Sequence, residues 1–107
     1  MNYKLLIDPL AKKDIIEIYN YVALSDSIDK ANRLLDNLEE TYLKLEKLPE
    51  RGHIPEELRG TGIKRFLEIH FKPYRIIYEI IDNIVYIHCV LDGRRNMQEL
   101  LSSRLLR

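Results

Sequence analysis

A chain of 107 residues, 46% apolar and 32% charged, has the length for one hydrophobic core and the composition of a folded domain rather than a disordered one. Its 17 lysines and arginines balance 17 aspartates and glutamates, which argues against a dedicated nucleic-acid binder, since such proteins carry a basic excess. Cys89 is the one cysteine, so no internal disulfide forms, and no stretch has the pattern of a signal peptide or membrane span; the expectation is a single domain over residues 1–107, working in the cytoplasm without contact with a membrane.

In chain order, Asn2 to Ile7 reads as a first strand. Asp8-Pro9 then opens a helix, the aspartate as N-cap and the proline at the first helical position. Ala11, Ile15, Ile18 and Val22 recur at helical steps and carry it to about Ala23. Ser25-Asp26-Ser27 breaks the pattern, and a second helix follows to about Leu48, where Pro49 ends it. Within it Ile28, Leu35 and Tyr42 occupy one heptad position and Ala31, Leu38 and Leu45 the other, the seam of a helix lying along a partner. A homodimeric coiled coil carries the same signature, but the short link to the first helix favours an intramolecular hairpin.

Residues 49–62 are broken by prolines and glycines and read as a loop. Three strands are predicted next, Ile63 to His70, Tyr74 to Ile81 and Ile84 to Leu91, with turns at Lys72-Pro73 and Asp82-Asn83. Asn96 caps a short helix from Met97 to Leu105. The fold class is therefore α+β: a strand, a helical hairpin, a three-stranded antiparallel meander and a short C-terminal helix.

Side chains alternate across a sheet, so the meander sorts into two faces. Val85, Ile87, Cys89 and Leu91, with Tyr74, Ile76, Tyr78 and Ile80, and with Ile63, Leu67 and Ile69, form an apolar face expected to pack on the hairpin. The other face collects Lys64, Phe66, Glu68, His70, Arg75, Glu79, Tyr86 and His88. A wet sheet face with cross-strand ion pairs accounts for such a set. As a site, it offers Arg75 for bidentate contact with a phosphate or carboxylate, and His70, His88 and Glu68 as proton-transfer groups. No phosphate-binding glycine loop or nucleophile elbow occurs, and no cofactor is implied. The three histidines lie on different elements without zinc spacing, so no metal site is expected.

The stretches Gly62-Ile63-Lys64-Arg65-Phe66, Pro73-Tyr74-Arg75-Ile76-Ile77-Tyr78-Glu79 and Val90-Leu91-Asp92-Gly93-Arg94-Arg95-Asn96, with the opening DPLAKKDIIEIYNYV, resemble the RelE/ParE toxin superfamily over nearly the whole chain. The resemblance implies the toxin half of a toxin–antitoxin pair, with a cognate antitoxin as partner. It implies one of two activities: RelE-like cleavage of messenger RNA on the ribosome, or ParE-like poisoning of DNA gyrase. Carried over by position, Arg75 matches the third-strand arginine and Arg95 the arginine after the last strand. The lysines that RelE-like members place on the second strand fall near Phe66 and Glu68, or, with a gap of one or two residues before Pro73, at Lys64 or Lys72; the tyrosine of their C-terminal helix falls at about Leu101.

RNA cleavage by a 2′-hydroxyl requires a base, cations for the crowded phosphate and an acid for the leaving oxygen. With those lysines and the phenol replaced, the catalytic candidates for a ribonuclease are Arg75, Arg95, His70, His88 and Glu68. The V-L-x-G-R-R-N ending is closer to the ParE branch, although Asp92 stands where that branch often has histidine. Gyrase poisoning is therefore favoured, with Arg94, Arg95, Arg75 and Lys64 as target-binding residues. Ribosome-dependent cleavage and a degenerate member that only binds antitoxin stay open. A site role for Arg75 implies that Arg75→Ala leaves stability within about 1 kcal/mol of the parent. The seam of the second helix and the apolar residues Leu100, Leu101, Leu105 and Leu106 are more than so small a core covers, so a partner segment is expected as a helix or added strand over the hairpin and sheet.

Overall fold

The computed structural model describes residues 2–106. The chain runs β1 (Lys4–Ile7), α1 (Pro9–Ser25), α2 (Ile28–Leu43), β2 (Phe66–Phe71), β3 (Tyr74–Ile81), β4 (Ile84–Asp92) and α3 (Met97–Leu105), with three short 3-10 turns between Lys44 and Leu58. This is the expected α+β order, and the differences lie at element ends. Helix α2 stops at Leu43 and passes into a 3-10 turn instead of continuing to Leu48. Strand β2 starts at Phe66 rather than Ile63, so Lys64 and Arg65 lie in the preceding loop instead of on the sheet.

All three helices carry a side-chain N-cap, Asp8 and Asn96 as predicted and Ser27 from the Ser25-Asp26-Ser27 break. Asp8 accepts from the Leu10 amide at 2.8 Å, Ser27 from Lys30 at 3.1 Å and Asn96 from Glu99 at 3.2 Å, each answering a donor that has no partner inside its helix. The α1–α2 hairpin is intramolecular, and Ala31, Leu38 and Leu45 are its buried seam. The other heptad position splits: Ile28 and Leu35 stay exposed and Tyr42 is half-buried.

The sheet order is β1-β4-β3-β2. The meander is antiparallel, and β1 joins it by pairing in parallel with the first half of β4, Lys4 opposite Ile84 to Ile7 opposite Ile87. Against β3 the register slips once: Ile77 faces Cys89 while Tyr78 faces Ile87, which makes His88 an extra residue, a β-bulge. Alternation reverses beyond it. Val85, Ile87 and Val90 pack with Ala11, Ile15, Leu38, Ile76 and Tyr78 in the core under the hairpin. Cys89 and Leu91, expected on that face, turn to the opposite one and join Phe66, Ile77, Met97, Leu101 and Leu105 in a second core beneath α3. The face expected to be open is thus half covered, and Leu101 and Leu105, 1% and 7% exposed, are covered by their own sheet rather than by a partner.

Beyond Ile87 the outer edge of β4 runs past the end of β1, and α1 and α3 satisfy it. Asp14 accepts from the Val90 amide at 3.0 Å and holds Arg104 through two bonds of 2.9 Å, while Arg104 donates to the His88 carbonyl at 3.3 Å. One ion pair therefore ties both helices to the strand edge. Burial pushes the Cys89 thiol up to about 12, in keeping with an inert core residue.

The loop after α2 is stapled to the sheet at Gly52. Tyr78 donates its hydroxyl proton to the Pro49 carbonyl at 2.7 Å and accepts from the Gly52 amide at 3.0 Å. A Cβ on residue 52 would lie 2.5 Å from the Tyr78 hydroxyl and 2.6 Å from the Glu68 carbonyl oxygen, so no side chain fits. Gly52→Ala is expected to cost about 1–3 kcal/mol in urea unfolding, the usual range for overpacking; an unchanged midpoint would show that the loop moves aside freely.

Candidate functional site

The staple at Gly52 delivers His53 to the exposed edge of the sheet. His53 and Glu68 exchange backbone hydrogen bonds of 3.1 and 2.7 Å, a single antiparallel bridge that covers the middle of β2. The following turn brings Glu57 back over the same face. Glu68, 1% exposed, sits beneath these two loop residues with His70 beside it on the strand and Arg75 opposite His70 on β3.

Arg75 is held by two carboxylates. Its Nε and one terminal nitrogen donate to Glu68 Oε2 and Oε1 at 2.7 and 2.6 Å, and the terminal nitrogens donate to Glu57 Oε2 and Oε1 at 2.8 and 2.7 Å. The hydrogen bonds to Glu57, then those to Glu68, hold the guanidinium in its charged form. In return, Arg75 holds the Glu57 carboxyl below the usual glutamate range. His70 Nε2 donates to Glu68 Oε2 at 2.6 Å, and His53 Nε2 lies 3.9 Å from Oε1 of the same carboxylate. Among the described residues, no buried side-chain nitrogen or oxygen is left without a partner.

Of the residues singled out in the sequence, Glu68, His70 and Arg75 meet in this cluster. His88 shares the face but belongs to another group, its Nε2 2.9 Å from Glu79 Oε1 and its ring edge-on to Phe66 at 5.3 Å. Lys64 is exposed in the loop before β2, and its neighbour Arg65 lies over the Phe66 ring at 4.7 Å. Arg94 folds back on Asp92, with bonds of 2.9 and 2.6 Å that keep the Asp92 carboxyl below its usual range. Arg95 is exposed at the mouth of a cavity of about 240 Å³ between α1 and the end of β4, shared with Asp14, Glu17, Tyr21 and Tyr74, and it makes no side-chain hydrogen bond or ion pair among the described residues.

His53 and Glu57 were missed. Both lie in the irregular stretch 49–62, where no periodicity assigns a direction to a side chain. The sole clue is the glycine at 52, which marks a close approach without saying to what. The expected bidentate role of Arg75 toward an external anion meets the same obstacle: four of its donors are already taken by Glu57 and Glu68.

The comparisons agree with this architecture. The model of the ParE toxin of the type II toxin–antitoxin system parDE matches residues 5–97. The chain belongs to the ParE toxin family. Among solved structures, it is similar to the chromosomal ParDE toxin–antitoxin system of P. aeruginosa, at 14% identity and a TM-score of 0.68, covering 82% of this chain and 92% of that one. It is also similar to a mutant E. coli toxin RelE in the free state, at 20% identity and a TM-score of 0.65 over 100% and 98% of the two chains. The toxin–antitoxin complex RelBE2 of Mycobacterium tuberculosis matches at 20% identity and a TM-score of 0.60, over 84% and 96%. No curated protein matches. ParE-family and RelE folds thus share this frame of a hairpin on a sheet, and at these identities the structural likeness speaks to fold alone.

Two outcomes follow from the Arg75 cluster. Arg75→Ala leaves Glu68 as a buried carboxylate without its partner, so the expected loss is about 3–5 kcal/mol in urea unfolding rather than the 1 kcal/mol of a surface residue; a variant as stable as the parent would restore Arg75 to the role of a free binding group. The second concerns acid. The folded-state pKa of Glu57 is depressed, so its contribution to stability is complete above the unfolded glutamate value of about 4.3 and is lost as pH falls through the folded value. Glu57→Gln is expected to flatten the acid side of a stability–pH curve below about pH 5, and parallel curves for variant and parent would rule the pairing out.

Proposed function

We propose that this ParE-family chain is the toxin of a toxin–antitoxin pair and acts in the cytoplasm as a binding poison of DNA gyrase. The observation that carries the choice of mechanism is the state of Arg75. A ribonuclease of this fold needs a cation free to meet the phosphate at the centre of the sheet, and here that cation is neutralised by Glu57 and Glu68. Its neighbours offer little replacement, since His70 and His88 are each engaged by a carboxylate. Arg95, exposed and without an ion-pair partner among the described residues, is a cation free to meet an acidic group on a target, with Arg94 beside it.

The alternative of messenger cleavage on the ribosome draws on a different observation. His53 and His70 stand with ring centroids 5.3 Å apart beside Lys44 and Arg51, so imidazoles and cations do share one groove. One experiment separates the two. Induced without an antitoxin, the parent is expected to arrest growth and alter plasmid topology while leaving messengers intact. The His70→Ala, His88→Ala pair should keep most of that toxicity, and reversing charge at Arg94 and Arg95 should abolish it. Messenger cleavage that depends on His70 would transfer the function to the ribonuclease alternative.

The antitoxin is proposed to cover the outer face of the hairpin. On the hairpin, Ile16, Leu24 and Ile28 are 58%, 89% and 63% exposed, large apolar side chains that a folded monomer gains nothing by presenting to water. An amphipathic partner segment fits such a face. Hydrogen exchange on the complex should show new protection along α1 and α2, and protection confined to α3 would place the partner elsewhere.

A further inference from the structure

We propose that His53, Glu68 and His70 form a binding site for a divalent transition-metal ion of the zinc class. The inference is independent of which target the toxin attacks, because it rests on the geometry of the β2 edge alone. One ligand atom from each residue lies within 4.8 Å of the other two. His70 Nε2 is 2.6 Å from Glu68 Oε2, and His53 Nε2 is 3.9 Å from Oε1. Zinc bonds of about 2.0–2.1 Å set tetrahedral ligand atoms roughly 3.3 Å apart; His70 lies inside that distance from one Glu68 oxygen and His53 outside it from the other.

Both imidazoles are partly exposed, so the difference falls to side-chain torsions. The paired backbone bonds between His53 and Glu68 already fix the positions of their Cα atoms, and His70 lies two residues along on the same face of the strand. Ligation needs the Nε2 lone pair of His70, so the proton that Nε2 donates to Glu68 passes to Nδ1 or to solvent.

Charge supplies the second reason. Glu57, Glu68 and Arg75 together carry a net charge of −1, and the Glu68 carboxylate is 1% exposed. A dication bound there is attracted by a group that water does not screen. Arg75 acts as the outer partner that such sites use to aim a carboxylate: it occupies one lone pair on each Glu68 oxygen and leaves the others directed toward the histidines.

The site also has a vacant direction. Beyond the three ligands lies a groove of about 440 Å³ lined by Thr41, Lys44 and Arg51. Two imidazoles and one carboxylate with an open fourth position suit zinc, cobalt or nickel, whereas magnesium and calcium call for oxygen ligands that this groove does not offer. The two cations would attract an anion to that fourth position.

Calorimetric titration of the purified protein with zinc chloride tests the site. The expected result is one ion per chain with a dissociation constant of roughly 1 µM or tighter, and visible ligand-field absorption of a low-coordinate ion when cobalt replaces zinc. His53→Ala and His70→Ala should each weaken binding by about 10-fold or more. His88→Ala should bind as the parent does, because His88 is the only other histidine and pairs with Glu79. The His53 side chain is 57% exposed and 3.9 Å from Glu68, so His53→Ala should melt with the metal-free parent, whereas His70→Ala also loses a 2.6 Å bond to buried Glu68 and should melt lower. If His70→Ala unfolds, His53→Ala decides alone. Equal affinity in the parent and His53→Ala overturns the proposal, as does the absence of saturable binding.

Discussion

Strand β4 has to serve two cores, and a strand of regular alternation cannot do so with this sequence. From Ile84 to Ile87 its inward residues, Val85 and Ile87, pack under the hairpin. From Cys89 onward the apolar residues outnumber the places on that face, and the bulge at His88 moves Cys89 and Leu91 to the other side. The consequence is a sheet buried on both faces along its centre, with α3 as the second lid. The same irregularity presents the His88 carbonyl and the Val90 amide at an edge where β1 has ended, and the Asp14–Arg104 pair closes it. Without the extra residue, Cys89 and Leu91 would be missing from the apolar surface on which α3 sits.

That covering also explains why the polar half of the sheet is so strongly self-paired. Once α3 and the 49–62 loop screen the face from water, each charge beneath them has to be answered within the protein. Glu68 is the extreme case, deeply buried and contacted by Arg75 and His70 with His53 close by. Such a network holds its members in place and at the same time withdraws Arg75 from contact with an outside anion. The chemistry left accessible lies at the two ends of the face: the imidazole groove at the β2 edge and the arginine pair that follows β4.

A family frame constrains these details only loosely. Solved structures at 14% and 20% identity share the arrangement of hairpin and sheet. Toxins on one frame differ in target through side chains at a few positions, because function resides in the site and not in the layer architecture. Of the positions that the resemblance aligns with lysines and a phenol of RelE-like toxins, Phe66 and Leu101 are core residues of the α3 layer and Glu68 is the buried carboxylate. Positions that the resemblance associates with lysines and a phenol are here used for packing and internal pairing.

The sequence by itself determined the elements and their ends to within a few residues, because caps, prolines and apolar periods act over three or four positions. Asp8 and Asn96 cap the helices they were expected to cap, and the Ala31, Leu38 and Leu45 seam is buried as its heptad spacing implies. It also determined that Glu68, His70 and Arg75 share one face of a sheet, since alternation along β2 and β3 is undisturbed there. Only the tertiary structure decided the rest. A bulge depends on what both faces of a strand must cover, so alternation alone put Cys89 and Leu91 on the wrong side. The parallel pairing of β1 with β4 joins segments about 80 residues apart and leaves no local signal. His53 and Glu57 reach the site through a loop whose path is set by one hydroxyl, Tyr78, and one missing side chain, at Gly52; contacts of that kind are made across space, and the chain does not announce them along its length.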